Sequence, residues 1–280
     1  MSSLSEQISG GNIMFSIEII MATYNNADFT SLVLEGYLRQ TDPGFRVAIA
    51  DDGSGSEIAA LVLAYRSKGL QIRHVWHEDV GYRKAEILNK TIRDSESDYL
   101  IFTDNDCIPH SEFVADHRRM AEKGRCVTGR RVNLGKALTR KLLSHAVDIG
   151  ALQSRWRILA GAATGKLRNP ENGLCLPWSL TRLWSRKRKG LLGSNMAVWR
   201  DDVLAVNGFD GAFQGYSAEE SDLEWRLNAN GIKVRALLGR ACQYHLYHER
   251  RAVDERNLRR IEEKKASGEV WAKEGILVNE

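Results

Sequence analysis

Apolar residues in the first hundred positions follow two alternating rhythms. Phe15 to Ala22 (FSIEIIMA) is a short, near-continuous apolar run, the mark of a strand covered on both faces. Ala27 to Gln40 has helical spacing after the turn-like pair Asn25-Asn26, and Phe45 to Ala50 (FRVAIA) is a second strand closed by Asp51-Asp52-Gly53-Ser54. From Ser56 to Lys68, Ile58, Leu61, Val62 and Tyr65 share one helical face, and Gly69 follows as a stop. Gln71 to Trp76 predicts a third strand, Arg83 to Asp94 a third helix, and Tyr99 to Thr103 (YLIFT) a fourth strand ending at Asp104. Strands separated by helices of this length predict an α/β fold with a mostly parallel sheet and right-handed crossovers. Ligands collect outside the carboxyl ends of such strands. Thr23, Asp51, Asp52, Asp104 and Asp106 all fall there.

The second half has a different texture. Lys136 to Gly165 predicts a helix, and Lys166 to Gly190, with Pro170 and Pro177, a loop-like stretch. A compact segment resumes at Leu191, with a helix near Glu219 to Asn230, a strand near Lys233 to Leu238 and a strand-like stretch ending in Cys242. Mixed charges from Glu249 to Lys265 predict an exposed helix. The expected organisation is a flexible leader (1–13), one domain (14–248) and a charged tail (249–280). Within the domain, a nucleotide-binding half (14–133) and an acceptor and catalytic-base half (191–248) flank a helical, basic insertion (134–190).

Composition narrows this picture in three ways. The chain has 280 residues, 43% hydrophobic and 27% charged, which suits one large soluble domain. No stretch supplies the roughly 18 consecutive apolar residues of a spanning helix, and the leader lacks the apolar core of a secretion signal. Four scattered cysteines without a C-x-x-C pair argue against a structural zinc site or a disulfide framework, and favour the cytoplasm. The net charge of +4 is unevenly spread: Arg182, Arg186, Lys187, Arg188 and Lys189 cluster with Trp178 and Trp184. That cluster is either a solvated loop or a surface for anionic lipid or glycan, at up to roughly 1 kcal/mol per basic residue near a charged membrane.

The carboxylates carry the chemistry. In Asp104-Asn105-Asp106, two acids two residues apart at a strand end can present oxygens to a hard cation, and Mg²⁺ and Mn²⁺ are commonly shared with substrate phosphates. Asp51-Asp52-Gly53-Ser54 can form an Asx-type turn while one Asp accepts from a base N–H. Gly81-Tyr82-Arg83-Lys84 opens a helix with N–H groups and two cations suited to a diphosphate or a base. Glu219, Glu220 and Asp222 crowd another helix start, where they complement the helix dipole or supply a general base. His245 and His248 are further candidate metal ligands.

Taken as a set, these residues resemble family-2 glycosyltransferases of the GT-A fold, from about Phe15 to His248. The N-terminal marks are Ala22-Thr23-Tyr24-Asn25, Asp51-Asp52-Gly53-Ser54, Gly81-Tyr82-Arg83-Lys84-Ala85 and Asp104-Asn105-Asp106. Gly193-Ser194-Asn195-Met196-Ala197 and Asn207-Gly208-Phe209-Asp210 resemble the galactosyltransferase-like half of chondroitin polymerase-type and bacterial envelope glycan transferases. The resemblance implies a nucleotide-sugar pocket at Thr23, Tyr24, Asp51, Asp52, Arg83 and Lys84, with Asp104 and Asn105 nearer the ribose or donor sugar. It makes Asp106 a direct ligand of Mn²⁺ or Mg²⁺, Mn²⁺ preferred. Asp104 is the other carboxylate open to the cation, and His245 or His248 completes the shell, with His245 favoured. Relatives read Gly-Trp-Gly-x-Glu-Asp at the acidic helix start; here Tyr216, Ser217 and Glu220 replace the Trp, the second Gly and the Asp. Glu220 is then the expected base, with Glu219 holding sugar hydroxyls and Asp222 a further catalytic candidate.

The implied reaction is inverting transfer of a hexose or N-acetylhexosamine from a UDP-sugar to a cell-envelope glycan: lipopolysaccharide core, O-antigen or capsule. The expected setting is the cytoplasm, with a glycolipid acceptor and peripheral contact with anionic membrane, and no nucleic acid is expected as a partner. A nucleotidyltransferase would carry a Gly-rich loop after the first strand, and a dinucleotide oxidoreductase G-x-G-x-x-G; Thr23-Tyr24-Asn25-Asn26 is neither. A basic nucleic-acid-binding protein leaves the aligned acids unexplained.

Overall fold

The computed structural model describes residues 15–186, 189–215, 218–249 and 254–277. The expected leader, residues 1–13, lies outside them, as do Tyr216, Ser217, Lys187 and Arg188. The first half alternates β1 (Ile17–Thr23), α1 (Ala27–Leu38), β2 (Phe45–Asp51), α2 (Ser56–Ser67), β3 (Ile72–Trp76), α3 (Lys84–Arg93) and β4 (Tyr99–Asp104). Then follow β5 (Cys107–Pro109), α4 (Phe113–Met120), β6 (Arg125–Thr128) and β7 (Arg131–Leu134). The insertion contains α5 (Lys136–Leu143), a 3₁₀ turn (Ile149–Gln153), α6 (Arg155–Ala163), β8 (Leu167–Arg168), a second 3₁₀ turn (Pro170–Gly173) and α7 (Trp178–Trp184). The remainder is β9 (Met196–Trp199), α8 (Arg200–Leu204), α9 (Glu219–Ala229), β10 (Lys233–Ala236), β11 (Gln243–His245) and α10 (Glu255–Ser267).

A seven-stranded sheet runs β10-β6-β9-β4-β1-β2-β3. All its neighbouring pairs are parallel except those made by β9, which is antiparallel to β4 and β6. Strand alternation divides the core: Ile19, Met21, Val47 and Ile49 pack on one face, and Ile20, Ala48, Ala50 and Phe102 on the other. Each fully buried side chain of this size adds about 1.5–3 kcal/mol. One charge enters this layer. Glu18 on β1 is buried and held by Arg73 at 2.7 and 2.9 Å, a bidentate pair that satisfies both oxygens.

A second sheet, β5-β11-β7-β8, joins three distant segments. The chain therefore resumes strand pairing at Gln243–His245, just past Cys242, because β5 and β7 both hydrogen-bond it there. β8 ties the insertion to β7.

Three expectations are corrected. The single helix over 136–165 is broken into α5, a 3₁₀ turn and α6: His145 takes a left-handed φ of 55°, and Asp148 is captured by Arg39 at 2.6 and 2.8 Å. The loop-like 166–190 contains α7, whose Trp178 lies under the guanidinium groups of Arg119 and Arg240. The charged tail is not an exposed appendage. Asn257, Ile261 and Lys264 of α10 are buried, and beyond it Ala272 and Ile276 are buried too.

Candidate functional site

The parallel register sets Thr23 opposite Asp51 and Ala22 opposite Asp104, so three strand ends form one edge. Thr23 is buried there and Tyr24 projects at the rim, its hydroxyl 3.0 Å from Asp79 Oδ2. Both acids after β2 have partners. Asp51 accepts from the Ser54 N–H (2.8 Å) and faces His74 Nε2 (2.7 Å). Asp52 faces His77 Nε2 (2.6 Å) and accepts from the Arg83 N–H (3.0 Å). The Asx turn is thus present at Asp51, while Asp52 ties the start of α3 to the strand edge. The Arg83 guanidinium is bonded to the Glu78 carbonyl and to Glu86.

A charge cluster lies beside this edge. Lys84 Nζ is 3.0 Å from Asp104 Oδ1 and 3.6 Å from Glu220 Oε1. Burial works against the ammonium, but Asp104 and Glu220 hold its pKa well above the usual lysine value. Tyr82 donates its hydroxyl to Glu219 at 3.2 Å. Burial, then the adjacent Glu220 charge, raises the Glu219 carboxyl above the usual glutamate range. Glu220 rests on Gly193: a Cβ there would lie 1.9 Å from Glu220 Oε1. Two groups expected in the pocket stand apart, and one expected metal ligand is engaged elsewhere in it. Asp222 is fully buried between Arg226 (2.7 Å) and Lys264 (3.0 Å), which removes it from the base candidates. Asn105 spends its amide on Asn25 O and Thr30 Oγ1, fastening the turn to α1. Asp104 faces Lys84 and is not part of the metal-competent group described next.

That group is built on Asp106. Its Oδ2 lies 3.3 Å from His245 Nε2 and 3.0 Å from His248 Nε2, and the two ring nitrogens are 3.1 Å apart. His248 Nδ1 is 2.7 Å from the Glu249 carbonyl, which can only accept, so Nδ1 carries the proton and the neutral ring presents a lone pair at Nε2. A carboxylate oxygen and a ring-nitrogen lone pair facing each other at this distance are reconciled by a cation or by a proton. Asp106 hydrogen-bonds His248 and raises its pKa. Burial pushes the Asp106 carboxyl up, but His245 and His248 hold it well below its ordinary range. Mixed oxygen and imidazole donors at this spacing fit a divalent ion such as Mn²⁺. Cys107 donates its thiol to Asp106 Oδ1 at 3.0 Å, and burial keeps that thiol protonated.

His74, His77 and Cys107 were not anticipated from the sequence, and Gly193 entered only as one mark of the family resemblance. Cys107 could have been found from its place next to Asp106. The two histidines, and the approach of Glu220 to Gly193, act through contacts that no local pattern encodes.

A mostly parallel sheet interrupted by one antiparallel strand, with an acidic turn after its fourth strand, defines a GT-A nucleotide-sugar transferase fold. The solved structures agree. GalNAc-T7 with UDP, GalNAc and Mn²⁺ aligns at a TM-score of 0.60 and 14% identity, over 90% of this chain and 48% of that one. The mannosyltransferase PcManGT of Pyrobaculum calidifontis, with GDP-Man and Mn²⁺, aligns at 0.56 and 18% identity, over 84% and 57%. Residues 18–178, more than half of the chain, match Glycosyl transferase family 2, and the chain belongs to that family. Residues 183–249 match the family described as N-terminal domain of galactosyltransferase. Validoxylamine A glucosyltransferase of Streptomyces hygroscopicus subsp. jinggangensis is 27% identical over 233 residues, covering 78% of this chain and 52% of that protein. Chondroitin synthase of Pasteurella multocida is 24% identical over 251 residues, covering 84% and 25%. The chain thus spans about half the length of the first relative and a quarter of the second.

Proposed function

We propose that the chain is an inverting, metal-dependent glycosyltransferase that moves a hexose or N-acetylhexosamine from a UDP-sugar to a bacterial cell-envelope glycan. The observation carrying this reading is the convergence of Asp106 Oδ2, His245 Nε2 and His248 Nε2 on the strand edge that also holds the Lys84, Asp104 and Glu220 cluster. The nucleotide lies across the ends of β1 to β3, against Thr23, Tyr24 and the start of α3. Asp106, His245 and His248 hold the cation, Mn²⁺ in preference to Mg²⁺. When bound, the cation offsets the negative charge that grows on the departing diphosphate.

The chain's own groups do the rest. Glu220 takes the proton of the acceptor hydroxyl as that oxygen bonds to the anomeric carbon; the bond from that carbon to the diphosphate breaks, and UDP leaves with the electron pair. Lys84 holds Asp104 and Glu220 in place, and Glu219, protonated more readily than a solvated glutamate, hydrogen-bonds a sugar hydroxyl.

The acceptor is a glycolipid such as lipopolysaccharide core, O-antigen precursor or capsule, met at the inner membrane face from the cytoplasm. Support comes from the insertion, where Trp156 (81% exposed), Leu159, Leu180 and Leu183 are exposed beside Arg157 and Arg182. That combination suits an anionic leaflet.

Calorimetric titration with UDP, with and without Mn²⁺, tests the core of the reading. Binding should need the metal and should vanish in Asp106→Ala. Equal UDP affinity with a chelator present would refute it.

A further inference from the structure

Beside His248, α5 and the segment after β11 line an open groove of about 310 Å³. That is the lower end of the range for small-ligand sites and the size of about one sugar residue. Its cations are Lys136 and Arg140, four residues apart and so on one face of α5. Both are exposed, and neither enters an ion pair among the described residues. Like charges at this spacing work against the helix, so helix stability does not explain them. The floor is apolar, made by Phe29 and Leu143, and Tyr247 forms a wall. The main chain that carries it is anchored: the Tyr247 N–H donates to Thr139 Oγ1 at 2.9 Å, and Thr139 is buried. Lys136 Nζ stands 6.0 Å from the Tyr247 ring centre. Glu249 also lines the groove, as its single carboxylate.

An apolar floor, an aromatic wall and two cations without an ion-pair partner among the described residues match a sugar that carries an anionic group. The aromatic face takes the carbohydrate ring, and the guanidinium and ammonium take a phosphate or carboxylate. The position matters as much as the chemistry. His248 lines this groove and also faces Asp106, so an occupant lies next to the cation centre. We propose that the groove is an acceptor subsite for an anionic sugar residue, phosphorylated or carboxylated, held by Lys136 and Arg140 against Tyr247. The assignment to the acceptor rests on the transferase reading above.

The test uses the full chain and three probes, glucose 6-phosphate, galacturonate and glucose, titrated by ligand-observed NMR with UDP and Mn²⁺ saturating. Both charged sugars should bind, and glucose at least tenfold more weakly. Lys136→Ala and Arg140→Ala should each weaken the charged probes about tenfold or more. Because both residues are exposed, the double variant Lys136→Ala/Arg140→Ala should fold normally and keep its UDP affinity within about twofold. Equal binding of glucose, or charged probes that bind the double variant as well as the wild type, overturns the subsite. Loss of UDP affinity in the double variant assigns the groove to the donor diphosphate and overturns it too. A wild-type chain that binds UDP but no charged sugar sinks the subsite alone. One that binds charged sugars but not UDP sinks the transferase reading, and with it the acceptor assignment.

Discussion

Lys264 is the residue through which the C-terminal helix should govern both stability and the catalytic end of α9. Its ammonium lies between Asp210 and Asp222, and all three groups are buried. Replacing it by Met removes the ammonium that contacts Asp210 and leaves only the more distant Arg226 acting on it, while Asp222 keeps Arg226 at 2.7 Å. Breaking a buried pair by removing one partner costs about 3–5 kcal/mol, because a charge is stranded. At this chain size that is a drop in Tm of about 5–9 °C. The pH dependence follows from Asp210. Burial pushes its carboxyl up, but Lys264 holds it below the usual aspartate value. In the wild type its carboxylate therefore adds stability above the unfolded value of about 3.9, lost as pH falls through the lowered folded value. In Lys264→Met the Ala212 N–H and Arg226 still favour the carboxylate, but the main counterweight to burial is gone, so the folded pKa rises above its wild-type value. The deficit of the variant against the wild type therefore grows as pH rises between those two folded values and narrows on acidification. Urea denaturation followed by circular dichroism at about pH 7.5 and about pH 4 measures this. The double variant Lys264→Met/Asp210→Asn should regain at least half of the loss. A single-variant cost below about 1 kcal/mol, or a double variant no more stable than the single, would refute the reasoning.

Three further outcomes are expected. Glu220→Gln should keep metal-dependent UDP binding and lower kcat by about 10²–10⁴-fold, the usual worth of a general base; near-normal kcat would move the base to Glu219. Gly193→Ala places a Cβ 1.9 Å from Glu220 Oε1 and 2.7 Å from its Cγ, so the side chain must rotate away. Activity should fall at least tenfold while stability changes by less than about 1 kcal/mol, since Glu220 is only half-buried; retained kcat would show that its resting position is unimportant. Trp156→Ala combined with Leu183→Ala should lower co-sedimentation with anionic vesicles at low salt without altering UDP affinity, and unchanged sedimentation would remove the membrane role of the insertion.

What could be read from the sequence was decided by how local the determinants are. The boundaries from Phe15 to Asp104 lie within one or two residues of the observed ones, because buried parallel strands are continuous apolar runs and the helices between them show a repeating face. The insertion failed for a tertiary reason: Arg39, just past the end of α1, holds Asp148 where composition alone would continue the helix. The tail failed because its charges looked solvated, whereas Lys264 is buried among acids from two other segments. Asn207-Gly208-Phe209-Asp210, one of the marks of family resemblance, proves to be the clamp on that tail. Asn207 donates to the carbonyls of Ala272 and Leu277 and accepts from the Leu277 N–H, and Asp210 takes Lys264. Its motif is legible in sequence, but its task is legible only in three dimensions.

The same distinction explains why Asp104 and Asp106 part company. In an extended strand, residues two apart point to one side, which invites the expectation of a shared cation. The strand does not continue that far: β4 ends at Asp104, β5 begins at Cys107, and Asn105 and Asp106 form a turn between them. Asn105 fixes that turn by donating to Asn25 O and Thr30 Oγ1, so the alternation lapses at the two residues where it would have mattered. Asp104 swings to Lys84, and through it to Glu220 on α9, while Asp106 meets two histidines delivered by β11 and the segment after it. One carboxylate is thereby coupled to the candidate base and the other to the candidate cation. Because the two are joined by a single pinned turn, the separation of the two carboxylates is set by the backbone of Asn105, and Lys84 passes that placement on to Glu220. That is the property an in-line displacement needs, since the attacking and departing oxygens must be held on opposite sides of one carbon.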